Sequence, residues 1–136
     1  MATLKISDLS AGDWVGVRCG TKINAFKVEE IRFNNIIHKY VVLLNNKAYA
    51  LPITELYPIP ITAEILEKNG FVKNGEYNEW STGNWDDIPF IGISLSRPSI
   101  RIKDLGTDIF LDNKVVYVHQ LQHALRLTGV DKEINL

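Results

Sequence analysis

The chain has 136 residues, 46% hydrophobic and 23% charged, with a formal net charge of −1. That balance belongs to one ordinary globular domain or two very small ones and argues against disorder as the main state. Near-neutrality argues against a dominant phosphate-binding surface, and the single cysteine, Cys19, permits no internal disulfide and no zinc site by itself.

The opening residues Met1 to Asp8 lack the apolar core of a signal peptide, and no apolar run approaches the roughly 18 residues of a membrane span. A cytoplasmic protein with no membrane partner is the expectation.

The first part of the chain reads as a β-meander. Asp13 to Arg18 carries Trp14, Val15 and Val17; Ala25 to Phe33 carries Phe26, Val28, Ile31 and Phe33. Glu29-Glu30 interrupts the second alternation and predicts a bulge. Ile36 to Leu44 is long and β-branched, and Ala48 to Leu51 follows. Cys19-Gly20-Thr21 suits the first turn. Asn34-Asn35 and Asn45-Asn46 suit two-residue hairpin turns, because asparagine tolerates positive φ. Closed by Ile53 to Tyr57, these strands predict a small SH3-like β-barrel or meander over residues 1–58.

Pro52, Pro58 and Pro60 then punctuate the chain, and a linker is expected at about Pro58 to Ile61. A short helix, Ala63 to Asn69, follows with both ends signalled. Thr62 suits the N-cap, Ile61 and Leu66 fall at the hydrophobic-staple positions, and Gly70 suits a left-handed stop with Phe71 folding back on Leu66.

Asn74-Gly75 is the strongest hairpin signal in the chain and joins Phe71 to Lys73 with Glu76 to Trp80. Ser81 to Pro89 is a polar loop holding Trp85 and the pair Asp86-Asp87. Phe90 to Ser96 alternates, Arg97-Pro98 breaks it, and Ser99 to Lys103 and Asp108 to Leu111 read as further strands. Asp112-Asn113 leads into a terminal helix ending at Gly129. Residues 59–136 are therefore expected to form an antiparallel sheet with two helices, giving an α+β chain. The two parts differ little in charge. Residues 1–58 hold seven basic and five acidic residues, and the remainder eight and eleven.

The terminal helix holds the chemistry most worth weighing. Tyr117, Val118, Leu121, Ala124, Leu125 and Thr128 share one arc; His119, Gln122, His123 and Arg126 share the other, which is expected to face away from the sheet. His119 and His123, four apart, reach one metal in principle. Two ligands do not make a site: a zinc enzyme needs a third, Gln120 stands where a metalloprotease has its glutamate, and Arg126 repels a cation. A packing helix is the stronger reading, with Gln120 and Gln122 tying it down. Its His/Gln/Arg face, with Trp85, forms a candidate partner-binding set: Trp85, His119, Gln122, His123 and Arg126.

In the barrel, Lys22, Lys27, Arg32 and Lys39 beside the aromatics Trp14, Phe26, Phe33, Tyr40 and Tyr49 form a candidate nucleic-acid-binding set. Most of those aromatics are expected in the core. Cys19 lacks a context that would activate a nucleophile, and Ser81 to Asn84 lacks the glycine spacing and lysine of a phosphate loop.

Three pieces carry a resemblance. They are Ile6-Ser7-Asp8-Leu9-Ser10-Ala11-Gly12-Asp13-Trp14-Val15, then Ile61 to Phe71, then Tyr117-Val118-His119-Gln120-Leu121-Gln122 followed by Leu127-Thr128-Gly129. Their spacing resembles small uncharacterised proteins of Bacteroides-type bacteria, their phages and conjugative elements. The resemblance implies a bacterial, cytosolic accessory protein, often encoded on a mobile element; it carries no activity or catalytic residue with it. The expected function is a non-enzymatic binding or adaptor module with an unidentified protein partner and no cofactor. Nucleic-acid binding through the barrel is the alternative, and a metal-dependent enzyme using His119 and His123 is third.

Overall fold

The structure, a computed structural model, describes residues 4–45, 50–73, 79–82, 91–102, 107–110, 115–130 and 132–136. It is α+β and divides into two compact units, Met1–Ile59 and Pro60–Leu136. Trp85, Asp86-Asp87, the Asn74-Gly75 turn, Tyr49 and Asp112-Asn113 lie outside the described residues.

The first unit is an antiparallel sheet curled into a half-barrel. Its strands are β1 (Trp14–Cys19), β2 (Lys22–Asn34), β3 (Lys39–Leu44), β4 (Ala50–Pro52) and β5 (Leu56–Tyr57), in the order β4-β3-β2-β1-β5. A 3-10 turn, Ile53–Glu55, separates the last two. The inward set follows the period of two: Val15 and Val17, then Val42 and Leu44, with Val28, Leu51 and Leu56, closed by Leu4 and Leu9.

β2 serves two partners. Its first half pairs with β1, from Cys19↔Lys22 to Trp14↔Lys27, and its second half pairs with β3. Between them the register shifts at Val28/Glu30, where the sequence predicts the bulge. The extra residue lets Val28 and Ile31, three apart, both meet the core. The corner is pinned by paired backbone bonds: Gly12 N–H donates to the Val28 carbonyl at 2.7 Å, and Val28 N–H to that of Asp13 at 2.8 Å. The buried Asp13 carboxylate accepts from Ser10 N–H at 2.8 Å.

The second unit carries α1 (Ala63–Lys68), β6 (Val72–Lys73), β7 (Glu79–Ser81), β8 (Ile91–Ser94), β9 (Ser99–Ile102), β10 (Thr107–Phe110) and α2 (Val118–Thr128). Its five strands run antiparallel in simple meander order, β10-β9-β8-β7-β6. One sheet face presents Trp80, Ile91, Ile93, Ile100 and Ile102, all buried, and α2 packs at β9 through its own buried Val118, Leu121 and Leu125. β8 stops at Ser94 rather than continuing to Ser96, because the Ser94 hydroxyl accepts from Arg97 N–H at 3.2 Å and starts the turn early.

Both helices end as their sequences dictate. Thr62 Oγ1 accepts from Ile65 N–H at 3.3 Å. Gly70 takes φ +79°; its N–H donates to the Glu67 carbonyl and that of Phe71 to the Leu66 carbonyl, the paired bonds of a Schellman stop. α2 closes the same way at Gly129, φ +70°, with Val130 N–H on the Leu125 carbonyl. At the start of α2 the Gln120 carboxamide oxygen accepts from Tyr117 N–H at 2.9 Å, so this side chain caps its own helix. The carboxyl-terminal segment is clasped to α1. Asn69 exchanges two hydrogen bonds with the Asn135 backbone, Lys132 Nζ donates to the Asn69 carbonyl at 2.7 Å, and Ile134 is buried.

Candidate interaction surface

The largest departure from the sequence reading lies between β2 and β3. The β-branched run Ile36 to Leu44 is expected to be one strand, but β3 begins only at Lys39. The Asn34 side chain accounts for the difference. Its Oδ1 accepts from Ile36 N–H at 2.9 Å and from Ile37 N–H at 3.2 Å, an Asx turn that takes both amides out of the ladder. His38 completes the turn at φ +52°, a left-handed conformation that histidine adopts more readily than a β-branched residue does.

The consequence is an apolar tip in solvent. Ile36 is 89% exposed and Ile37 50%; the adjoining strand pair Phe33 and Tyr40, directly opposite in register, are 49% and 51% exposed. Their rings meet edge to face with centroids 5.2 Å apart, a geometry that stabilises aromatic pairs beyond their burial. Alternation along the strands places Phe33 and Tyr40 on the same face as Ile31 and Val42. The apolar face of the half-barrel thus runs past the end of its core. Isolated exposed hydrophobes need no explanation; four within eight residues at one hairpin do.

The other hairpin face carries the charges, beside the buried Val41 and the half-buried Leu43. Arg32, Asn34 and Lys39 share it, with Arg32 and Lys39 diagonal neighbours. Arg32 grips Glu30 through two bonds, Nε to Oε1 at 2.8 Å and a terminal nitrogen to Oε2 at 2.9 Å. The hydrogen bond from Arg32 holds the Glu30 carboxyl below the usual carboxylate range, and Glu30 raises Arg32 in turn. The remaining members of the basic set lie elsewhere. Lys27 lies over the Trp14 ring at 5.3 Å, and Lys22 begins β2 beside the first turn. Ten residues at about 3.3 Å each separate Lys22 from Arg32 along one strand, so the structure brings together only Arg32 and Lys39 of the four.

On α2 the expected outward arc is divided. His119 is 5% exposed and Gln122 6%, His123 is half-buried and Arg126 exposed. The helical wheel is corrected here: His119 and Gln122 do not present an open face, because α2 is buried over more of its circumference than one apolar stripe. Tyr117, His119 and His123 form a ring ladder, stacked at 6.0 Å and edge to face at 5.9 Å. Among the described residues no group of three or more His, Cys, Asp or Glu side chains is placed to hold a metal ion. Cys19 is half-buried and packs against the half-barrel core. No helix is long and apolar enough to cross a membrane among the described residues.

Ile36 and Ile37 are the candidate residues that sequence reasoning missed. The available signal was Asn34, a side chain able to capture the amides two and three residues on.

Comparison with known protein families, curated proteins and solved structures finds no match.

Proposed function

We propose that this chain is a non-enzymatic binding module that engages a protein partner through the β2–β3 hairpin tip. The observation that carries the reading is the exposure of Phe33, Ile36, Ile37 and Tyr40 at one hairpin. Their exposed surface adds nothing to the fold, whereas its burial against a partner would stabilise a complex by about 25 cal/mol per Å² before binding costs. The turn is already fixed by Asn34, so little ordering entropy opposes docking.

On the same reading the first unit is an SH3-like barrel. The order β4-β3-β2-β1-β5 and the 3-10 turn ahead of β5 support it. The resemblance in the three quoted pieces supports a bacterial accessory protein of the cytoplasm, of the kind carried by phages and conjugative elements.

The test is capture of proteins from a bacterial extract by the immobilised chain and by a Phe33→Ser/Ile36→Ser double variant. The expected result is retention of specific proteins by the native chain alone, with both baits folded, as a cooperative melting transition in each shows. Equal capture by both overturns the reading.

Nucleic-acid binding is the second reading, favoured by one observation: Arg32 and Lys39 stand diagonally on the hairpin that carries the Phe33–Tyr40 pair. It predicts binding to single- or double-stranded DNA that weakens steeply with salt. No binding at low salt removes it. A metal-dependent enzyme using His119 and His123 ranks third, since His119 is buried and the third ligand has no candidate among the described residues.

A further inference from the structure

We infer that the occupant of the hairpin tip is a second copy of this chain, docked through the uncharged face that carries Phe33 and Tyr40. The inference rests on the binding reading above and names its partner.

Charge selects the occupant. In register, the face holding Phe33 and Tyr40 continues inward to Ile31 and Val42 and carries no charged side chain; Glu30, Arg32 and Lys39 all lie on the opposite face. A nucleic acid or an anionic surface requires cations beside the aromatic rings, and here they point the other way. An acidic or basic peptide finds no complementary charge on the aromatic face either. A neutral apolar face with a polar rim complements a copy of itself, which is the requirement of an isologous two-fold contact: identical residues meet, so any charge near the axis would repel its own image. The exposed turn residue Asn35 adjoins this face without charge.

Area sets the strength. An aromatic side chain carries roughly 150–250 Å², and half exposure of two leaves about 200 Å². Ile36 and Ile37 bring the exposed apolar side-chain surface of the hairpin tip to a few hundred Å². Doubled across a two-fold axis, this reaches about 1,000 Å² with the rim, the low end for specific association and well short of the roughly 2,000 Å² or more of an obligate dimer. The expected contact is therefore reversible, and each chain folds without it. That agrees with a first unit whose core closes on its own residues. The edge-to-face Phe33–Tyr40 pair and the Asn34 turn hold both partners in shape before they meet.

The experiment is sedimentation equilibrium of the full chain from micromolar to near-millimolar loading. The native chain is expected to rise from the mass of one chain toward that of two. A Phe33→Ser/Ile36→Ser variant is expected to associate at least about ten-fold more weakly, with a single cooperative melting transition, lowered only by the loss of the Phe33–Tyr40 ring pair, showing that it folds. Lys39→Gln, on the opposite face, is expected to associate like the native chain. A native chain that keeps the mass of one chain at the highest loading overturns the inference, as does association that the double variant retains or that Lys39→Gln abolishes. Salt-sensitive binding of single-stranded DNA that is lost in the double variant also overturns it, by giving the tip a different occupant. The two levels separate cleanly. A monomeric chain whose protein capture still depends on the tip loses the second copy and keeps the binding module; a tip that affects neither loses both.

Discussion

The β2–β3 hairpin and helix α2 invert the usual distribution of polarity in opposite directions. At the hairpin, two isoleucines and two aromatics stand in solvent; on α2, the imidazole of His119 and the carboxamide of Gln122 are buried. The difference shows where each element spends its interactions. α2 is held by its surroundings on more than one side, so its polar residues serve packing and hydrogen bonding. The hairpin tip projects past the core pair Ile31 and Val42, so its apolar residues are covered on one side at most and keep apolar surface available to a partner.

Substitutions that exchange these roles break or sharpen that contrast. The largest expected effect is on α2: Leu121→Ala, at a fully buried position, should cost about 2–5 kcal/mol in denaturant unfolding. A loss below 1 kcal/mol would mean that α2 packs less tightly than described. His119→Ala comes next, at about 1–3 kcal/mol, because a buried polar side chain and its packing are removed together. Full stability in that variant would return His119 to the surface and revive the outward face. At the tip, Ile36→Ser should change stability by no more than about 0.5 kcal/mol, as exposed positions do. A marked loss there would show that the tip belongs to the fold.

The smallest effect concerns the polar face of the hairpin. Glu30 has a lowered pKa in the fold, so its contribution is present above its unfolded pKa and is lost as pH falls through the lowered folded value. Both groups are exposed, so the stability change is slight. The readout is the side-chain carbon of Glu30 in an NMR titration. Its midpoint should rise toward the ordinary glutamate range in Arg32→Gln, and an unmoved midpoint would mean that the pair does not form in solution.

Much of the architecture is legible in the chain because it depends on local chemistry. Thr62, Gly70 and Gly129 each answer a specific demand of a helix end, and each stands where the helix stops or starts. Glu29-Glu30 marks the bulge because two successive charges cannot both keep the alternation. The candidate site is less legible for two physical reasons. Ile36 and Ile37 carry strand propensity, but propensity yields to a side chain that captures their amides, and Asn34 does so. The burial of His119 and Gln122 follows from packing around α2 that a single-helix wheel does not contain. Gln120, read as a tie to the sheet, instead caps the helix on which it sits.

The claim that the apolar tip is a working contact surface is tested most directly by photo-crosslinking. A benzophenone side chain is introduced at Ile36, with an equivalent probe at the exposed Glu79 as the control. Irradiation in bacterial extract should yield discrete protein adducts from position 36, the adduct of two chains among them, and none from position 79. Absence of discrete adducts at position 36, or the same adducts from both positions, would contradict the account.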